Sequence, residues 1–175
     1  MNNDLLFRGK YRSTSTRLVN WDYSWAGNYF ITINTKYGEN YFGEVKNKRM
    51  IKNEIGEIVE KYWWEITEHF SNVDLDEFIV MPNHIHGIIT IKKIEILDSN
   101  NVPKSKESHY SIISPKAKSL AVIIRSYKSA CTRTINMSQN KVFFKWHSKF
   151  YDSLIRTEKD FQNVKNYIMN NPLNY

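Results

Sequence analysis

The sequence predicts an α+β sandwich, a small antiparallel sheet with helices packed mainly on one face. Three observations predict it. Short runs of aromatic and β-branched residues recur along the chain and read as strands. Apolar residues at helical spacing fill three longer stretches. The resulting order is strand, helix, strand, strand, helix, strand, helix, with most connections short or passing through one helix; this resembles a ferredoxin-like arrangement. A chain of 175 residues, 41% apolar and 14% aromatic, can bury a sizeable core, which excludes a disordered polyelectrolyte.

Residues 1–20 read as a basic, polar arm, and residues 21–175 as a single domain without internal repeats or a glycine-serine linker. Residues 28–34 are rich in aromatic and β-branched side chains and form the first strand. Gly38 and Gly43 mark a turn-rich stretch, followed by a short hairpin from residues 41–45 and 50–51. Asn53 is placed to cap a helix running to about Phe70, whose positions Ile55, Ile58, Val59, Tyr62, Trp63, Ile66 and Phe70 share one face. Residues 75–81 and 84–91 are two strands joined through Pro82-Asn83. The polar stretch from about 93 to 115 is longer than an ordinary connection. Residues 116–136 read as a basic amphipathic helix, 142–146 and 151–155 as short strands. Thr157 caps a last helix, with Asp160 at the capping-box position, and Pro172 ends it.

Charge is unevenly distributed. Residues 54–77 carry eight acids and one base, a net −7 within a chain of net +7, so the rest carries +14. Residues 8–17 hold four bases and no acid, and residues 103–133 hold seven bases against Glu107 alone. This predicts one acidic side and one basic side, the basic one suited to a phosphate backbone. A basic surface that serves only solubility is the alternative. The single cysteine, Cys131, excludes an internal disulfide framework and a multi-cysteine zinc site. No apolar run approaches the ~18 residues of a membrane span, and the Met1-Asn2-Asn3-Asp4 start has no secretory character. A cytoplasmic location, with no membrane partner, is the expectation.

The segment Met81-Pro82-Asn83-His84-Ile85-His86-Gly87 carries the strongest chemical signal. Side chains alternate along a strand, so His84 and His86 share a face, about 7 Å apart. Two imidazoles so placed can chelate one ion, and Gly87 leaves room for a close ligand or backbone. Histidines also occur on sheet faces without ligands, and two donors leave a metal site incomplete. In the last helix Phe161, Val164 and Ile168 form an apolar stripe, and Tyr167 lies one position off it, flanked by Asn163 and Asn171. A tyrosine there reaches beside the sheet or simply edges the core.

Taken together, Met81–Gly87 and the segment Asn166-Tyr167-Ile168-Met169-Asn170-Asn171-Pro172 about 80 residues later resemble the single-tyrosine HUH transposases, and among them the REP-associated (RAYT) branch. Trp21-Asp22-Tyr23, the strand Gly27–Thr32, and Trp146 leading into Tyr151-Asp152-Ser153-Leu154-Ile155-Arg156 extend the resemblance over roughly residues 11–174. It implies a metal-dependent enzyme that cleaves and rejoins single-stranded DNA, at hairpin or palindromic sites, through a covalent 5′-phosphotyrosine. By position, the resemblance makes Tyr167 the nucleophile and His84 and His86 the ligands of Mg²⁺ or Mn²⁺. A phenol of pKa ~10 is about 0.1% ionised at pH 7, so a nearby cation that favours the phenolate has an evident use.

Two departures stand out. Insertion-sequence relatives carry a glutamine four residues after the tyrosine as third ligand, where this chain has Asn171, in keeping with the REP-associated branch. His147 follows Trp146 where relatives often have glutamine, and reads as a surface residue. Tyr151 is a rival nucleophile, read as packing beside Phe150. Arg12, Arg17, Lys118, Arg125 and Lys128 are the candidate DNA contacts. Two further readings stay open, a catalytically idle nucleic-acid-binding module on the same fold and a zinc hydrolase. The protein acts as a monomer or a homodimer; the sequence does not choose.

Overall fold

The structure, a computed structural model, describes residues 26–93, 119–138 and 143–175. Its main sheet has four strands in the order β4-β5-β1-β6, every neighbouring pair antiparallel. These are β1 (Gly27–Asn34), β4 (Val73–Met81), β5 (His84–Ile91) and β6 (Tyr151–Ile155). A separate hairpin pairs β2 (Gly43–Lys46) with β3 (Arg49–Lys52). The helices are α1 (Glu54–Trp64), the single turn α2 (Ile66–His69), α3 (Leu120–Ser138) and α4 (Glu158–Met169). Among main-sheet elements the chain runs strand, helix, strand, strand, helix, strand, with first and last strands adjacent, which is the expected ferredoxin-like order.

Alternation along the strands builds two faces. Tyr29, Ile31 and Ile33 of β1 meet Ile85, Ile89 and Ile91 of β5 in the larger core, under Val59 and Trp63 of α1 and Ile123, Ile124 and Tyr127 of α3. Among the described elements the opposite face carries only α4, which seats Ile168 against Ile88 and Ile155, with Phe30, Phe161 and Val164 partly buried around them. One fully buried isoleucine is worth roughly 1.5–3 kcal/mol, so α4 is docked by far less apolar burial than α1 or α3. In β4 an extra residue between Leu75 and Phe78 forms a bulge. It turns Phe78 and Val80 into the larger core and brings Asp76 within 2.8 Å and Glu77 within 3.6 Å of the Lys165 ammonium on α4.

Several expectations hold in detail. The Asn53 side chain accepts from the Gly56 amide at 3.0 Å, and the Thr157 hydroxyl accepts from the Asp160 amide at 3.1 Å. Others are corrected. The helix expected to reach Phe70 breaks at Glu65, where the Thr67 hydroxyl takes the Trp64 carbonyl at 3.2 Å and competes with the helical ladder. No strand forms over 143–146: Asn136 of α3 engages both the Phe144 amide (2.9 Å) and its carbonyl (3.3 Å), leaving only a bridge between Trp146 and Thr35. Of the two basic stretches only residues 119–133 are described, so where the expected basic side falls as a whole lies outside the described residues. α1 and α3 lie next to each other on one face, joined by the Tyr62 and Thr134 hydroxyls at 2.7 Å.

Gly87 serves the fold rather than a ligand. A Cβ at this position would lie 2.3 Å from the Trp63 indole, on the face opposite the histidines. Among the described residues no helix is long and apolar enough to cross a membrane. The arm at 1–20, residues 94–118 and Val142 lie outside the described residues, as do Arg12, Arg17 and Lys118.

Candidate functional site

β5 places His84 and His86 on the sheet face that α4 covers, their rings 4.7 Å apart. β1 supplies the floor beside them. Thr32 is the cross-strand partner of His86, and its hydroxyl lies 2.9 Å from Nδ1 of that ring. Phe30, two residues earlier, stacks on His86 with centroids 5.3 Å apart. On the other side, Nδ1 of His84 meets the side-chain oxygen of Asn83 at 2.7 Å. Both Nδ1 atoms are thus engaged, which leaves both Nε2 atoms for a ligand.

α4 brings the tyrosine to the same place. The Tyr167 ring is 5.3 Å from His86, edge-on at 65°, and 5.9 Å from Phe30 at 90°. Its exposure is 49%, against 5% for His86, so the phenol borders solvent while the imidazole does not. The Lys165 pairs with Asp76 and Glu77 and the Ile168 contact fix the helix about its axis and aim Tyr167.

Burial governs the electrostatics. Desolvation lowers the pKa of His84. His86 is pushed down to about 3, first by burial, then by its neighbour His84, against a smaller opposing hydrogen bond at Ile31. Two neutral imidazoles, each with one nitrogen engaged and one lone pair free, are donors of the kind a divalent cation takes, though two of them make only part of a site. Their chemistry fits a metal. Among the described residues, no cluster of three or more His, Cys, Asp or Glu side chains accompanies them.

The remaining sequence candidates fall in different places. Asn171 opens a 3-10 turn at Asn171–Asn174 that follows α4 and packs against β3. Tyr151 is not packed as expected: it is 52% exposed and pairs with Thr32 across β6 and β1, so it shares the histidine face one strand further out. Arg125 is exposed on α3, across the sheet from the histidines. Lys128 donates to the carbonyls of His147 (2.7 Å) and Ser148 (3.3 Å), so its ammonium secures the chain before β6. Phe30, Thr32 and Asn83 were not among the sequence candidates. Residue type gives no signal for them, because their roles follow from the β1–β5 register and the β4–β5 turn.

No family model matches the chain. An uncharacterized protein of Haemophilus influenzae is 33% identical over 165 residues, spanning 94% of this chain and 91% of its own length. The chain belongs to that protein's family. The structure of a REP-associated tyrosine transposase bound to a REP hairpin superimposes with a TM-score of 0.57, over 90% of this chain and 73% of that one, at 15% identity. At that identity the likeness is one of fold alone.

Proposed function

We propose that this protein is a transposase-like enzyme that cleaves and rejoins single-stranded DNA, at hairpin or palindromic sites, through a covalent 5′-phosphotyrosine on Tyr167. The observation that carries this is the meeting of Tyr167 with His86 across two elements far apart in sequence, at 5.3 Å between rings. The fold shared with a hairpin-bound tyrosine transposase supports the choice of DNA.

In the proposed reaction the Tyr167 oxygen attacks the scissile phosphorus and gives up its proton to solvent. An O–P bond forms to tyrosine, the P–O3′ bond breaks, and the departing oxygen takes up a proton to become a free 3′-hydroxyl. Attack by a 3′-hydroxyl on the phosphotyrosine reverses these steps and restores the phenol, so rejoining needs no ATP. His84 and His86 would hold Mg²⁺ or Mn²⁺, with Asn171 as a further oxygen donor. When bound, that ion supplies charge neutralisation at the non-bridging oxygens and favours the phenolate. Thr32 and Asn83 keep both imidazoles oriented, and Phe30 excludes water from the buried side of His86. In this reading the tyrosine serves the histidine pair of its own chain, consistent with the Tyr167–His86 contact.

One observation favours the idle binding module, namely two strong ligands rather than three among the described residues. A denaturing gel with end-labelled hairpin DNA taken from beside the gene, with Mn²⁺ or with EDTA, separates the two. A metal-dependent band containing protein and DNA, lost in Tyr167→Phe, is expected. DNA binding without that band on any hairpin tested favours the module.

A further inference from the structure

We infer that a groove between the C-terminal half of α3, the turn at Lys36–Gly38 and the segment 143–148 is a track for unpaired DNA, with Tyr37 as its base-stacking platform. The choice of DNA rests on the function proposed above; the track itself rests on four observations about this chain.

The first is charge. The groove, with a volume of about 1130 Å³, is lined by Lys36, Lys128, Arg133 and Lys145, and among the described residues no acid lines it. Among the described residues none of these four cations has a carboxylate partner. Lys128 is committed to backbone carbonyls, which leaves Lys36, Arg133 and Lys145 for phosphates.

The second is Tyr37. Its ring is 83% exposed, and its backbone sits at φ 62°, ψ 9°, in the left-handed region that glycine or asparagine normally occupies. A bulky aromatic held there and buried against nothing does no service to the core. Strain of this kind is retained where the surroundings impose it, and it concentrates at binding sites. An exposed flat ring beside cations is the platform on which unpaired bases stack irrespective of sequence. The Lys36 ammonium lies 4.7 Å from the ring centre, and beyond it Lys145 lies 4.3 Å from the exposed ring of Phe143.

The third is how the turn is held. The Thr35 amide donates to the Asn83 carbonyl at 2.8 Å, the Lys36 amide to the Lys145 carbonyl at 2.9 Å, and the Asn83 side-chain amide to the Gly38 carbonyl at 3.2 Å. Asn83 therefore holds both the turn that presents Tyr37 and, through its oxygen, the ring of His84.

The fourth is continuity. A second cavity of about 400 Å³ shares Tyr37 and His147 with the groove and is closed by Asn34 and Asn83. Asn34 is the cross-strand partner of His84. The groove thus leads, through shared walls, to the strand end that carries the histidine pair.

The test is fluorescence anisotropy of labelled oligo(dT) across a salt series, with the full chain and its variants. Tyr37→Gly removes the ring and relieves the backbone, so its melting temperature should equal or exceed the parent's while affinity falls about 5- to 100-fold. Tyr37→Trp should restore binding. Lys36→Ala with Lys145→Ala should flatten the slope of log K against log salt by about 1.4, at ~0.7 per single-strand phosphate contact. Affinity of Tyr37→Gly within two-fold of the parent would overturn the track, as would tighter binding of oligo(U) or of duplex DNA through the same residues. The covalent-adduct gel reports separately. An adduct on Tyr167 with binding indifferent to Tyr37 removes the track alone, whereas Tyr37-dependent binding without any adduct keeps the track and removes the proposed chemistry.

Discussion

The hydroxyl of Thr32 on β1 lies 2.9 Å from Nδ1 of His86, its direct cross-strand partner on β5. This pairing makes one strand the support for the chemistry carried by the next. A histidine with Nδ1 engaged can turn only Nε2 toward a ligand, and such supporting hydrogen bonds sharpen metal affinity.

Thr32→Val keeps the shape and removes the hydrogen bond. Binding of Mn²⁺, followed by electron paramagnetic resonance of the free ion, is expected to weaken about 10- to 100-fold. Unaltered binding would mean that Thr32 does not orient the ligand.

Among the described residues Tyr151 and Tyr167 share the histidine face, and of these Tyr167 is the one in ring contact with His86. Tyr167→Phe is therefore expected to abolish the covalent DNA adduct while leaving DNA affinity within a few-fold. Tyr151→Phe should retain the adduct. Mass spectrometry of the adduct peptide identifies the attached residue, and DNA on Tyr151 would reverse the assignment.

Gly87→Ala should destabilise the protein by about 1–3 kcal/mol, because the new methyl meets the buried Trp63 indole. The change is read as a lower urea midpoint at unchanged slope. Gly87→Ala in a Trp63→Leu background should recover part of the loss. Equal costs in both backgrounds would show that the contact with Trp63 is not the cause.

The histidine pair also predicts a pH dependence in EDTA. In the folded chain burial keeps His84 and His86 neutral, with His86 at about 3, while the unfolded chain protonates both near 6.5. Between these values the unfolded state binds more protons. For His86 stability is complete above about pH 6.5 and is lost as pH falls toward 3, at up to roughly 1.4 kcal/mol per unit, and the lowered pKa of His84 acts in the same direction. The urea midpoint should drop between pH 7 and pH 5, and His86→Gln should flatten that slope. A midpoint constant over this range would argue against a desolvated pair.

Much of this protein is legible in its sequence because it is local. Period-two alternation puts His84 and His86 on one face whatever pairs with β5, and helical spacing identifies the buried stripes of α1, α3 and α4. Asn53 and Thr157 cap their helices through oxygens that reach amides three residues on, so no distant contact is needed. Failures of local reasoning have equally local causes: the Thr67 hydroxyl stops α1 from running on, and the Asn136 amide occupies backbone groups that a strand at 143–146 would need.

The tertiary structure alone decided which residues meet. Register chose Thr32 rather than Phe30 as the partner of His86, and one bulge residue in β4 set which carboxylates face Lys165. Trp63, not a ligand, claims the space at Gly87, and the clamp around residues 35–38 holds Tyr37 where its own residue type would not go. These outcomes depend on burial and pairing between segments tens of residues apart, which minimise exposed apolar surface and unpaired backbone over the whole chain at once. Local periodicity fixes the face a side chain presents; only global packing fixes what stands opposite it.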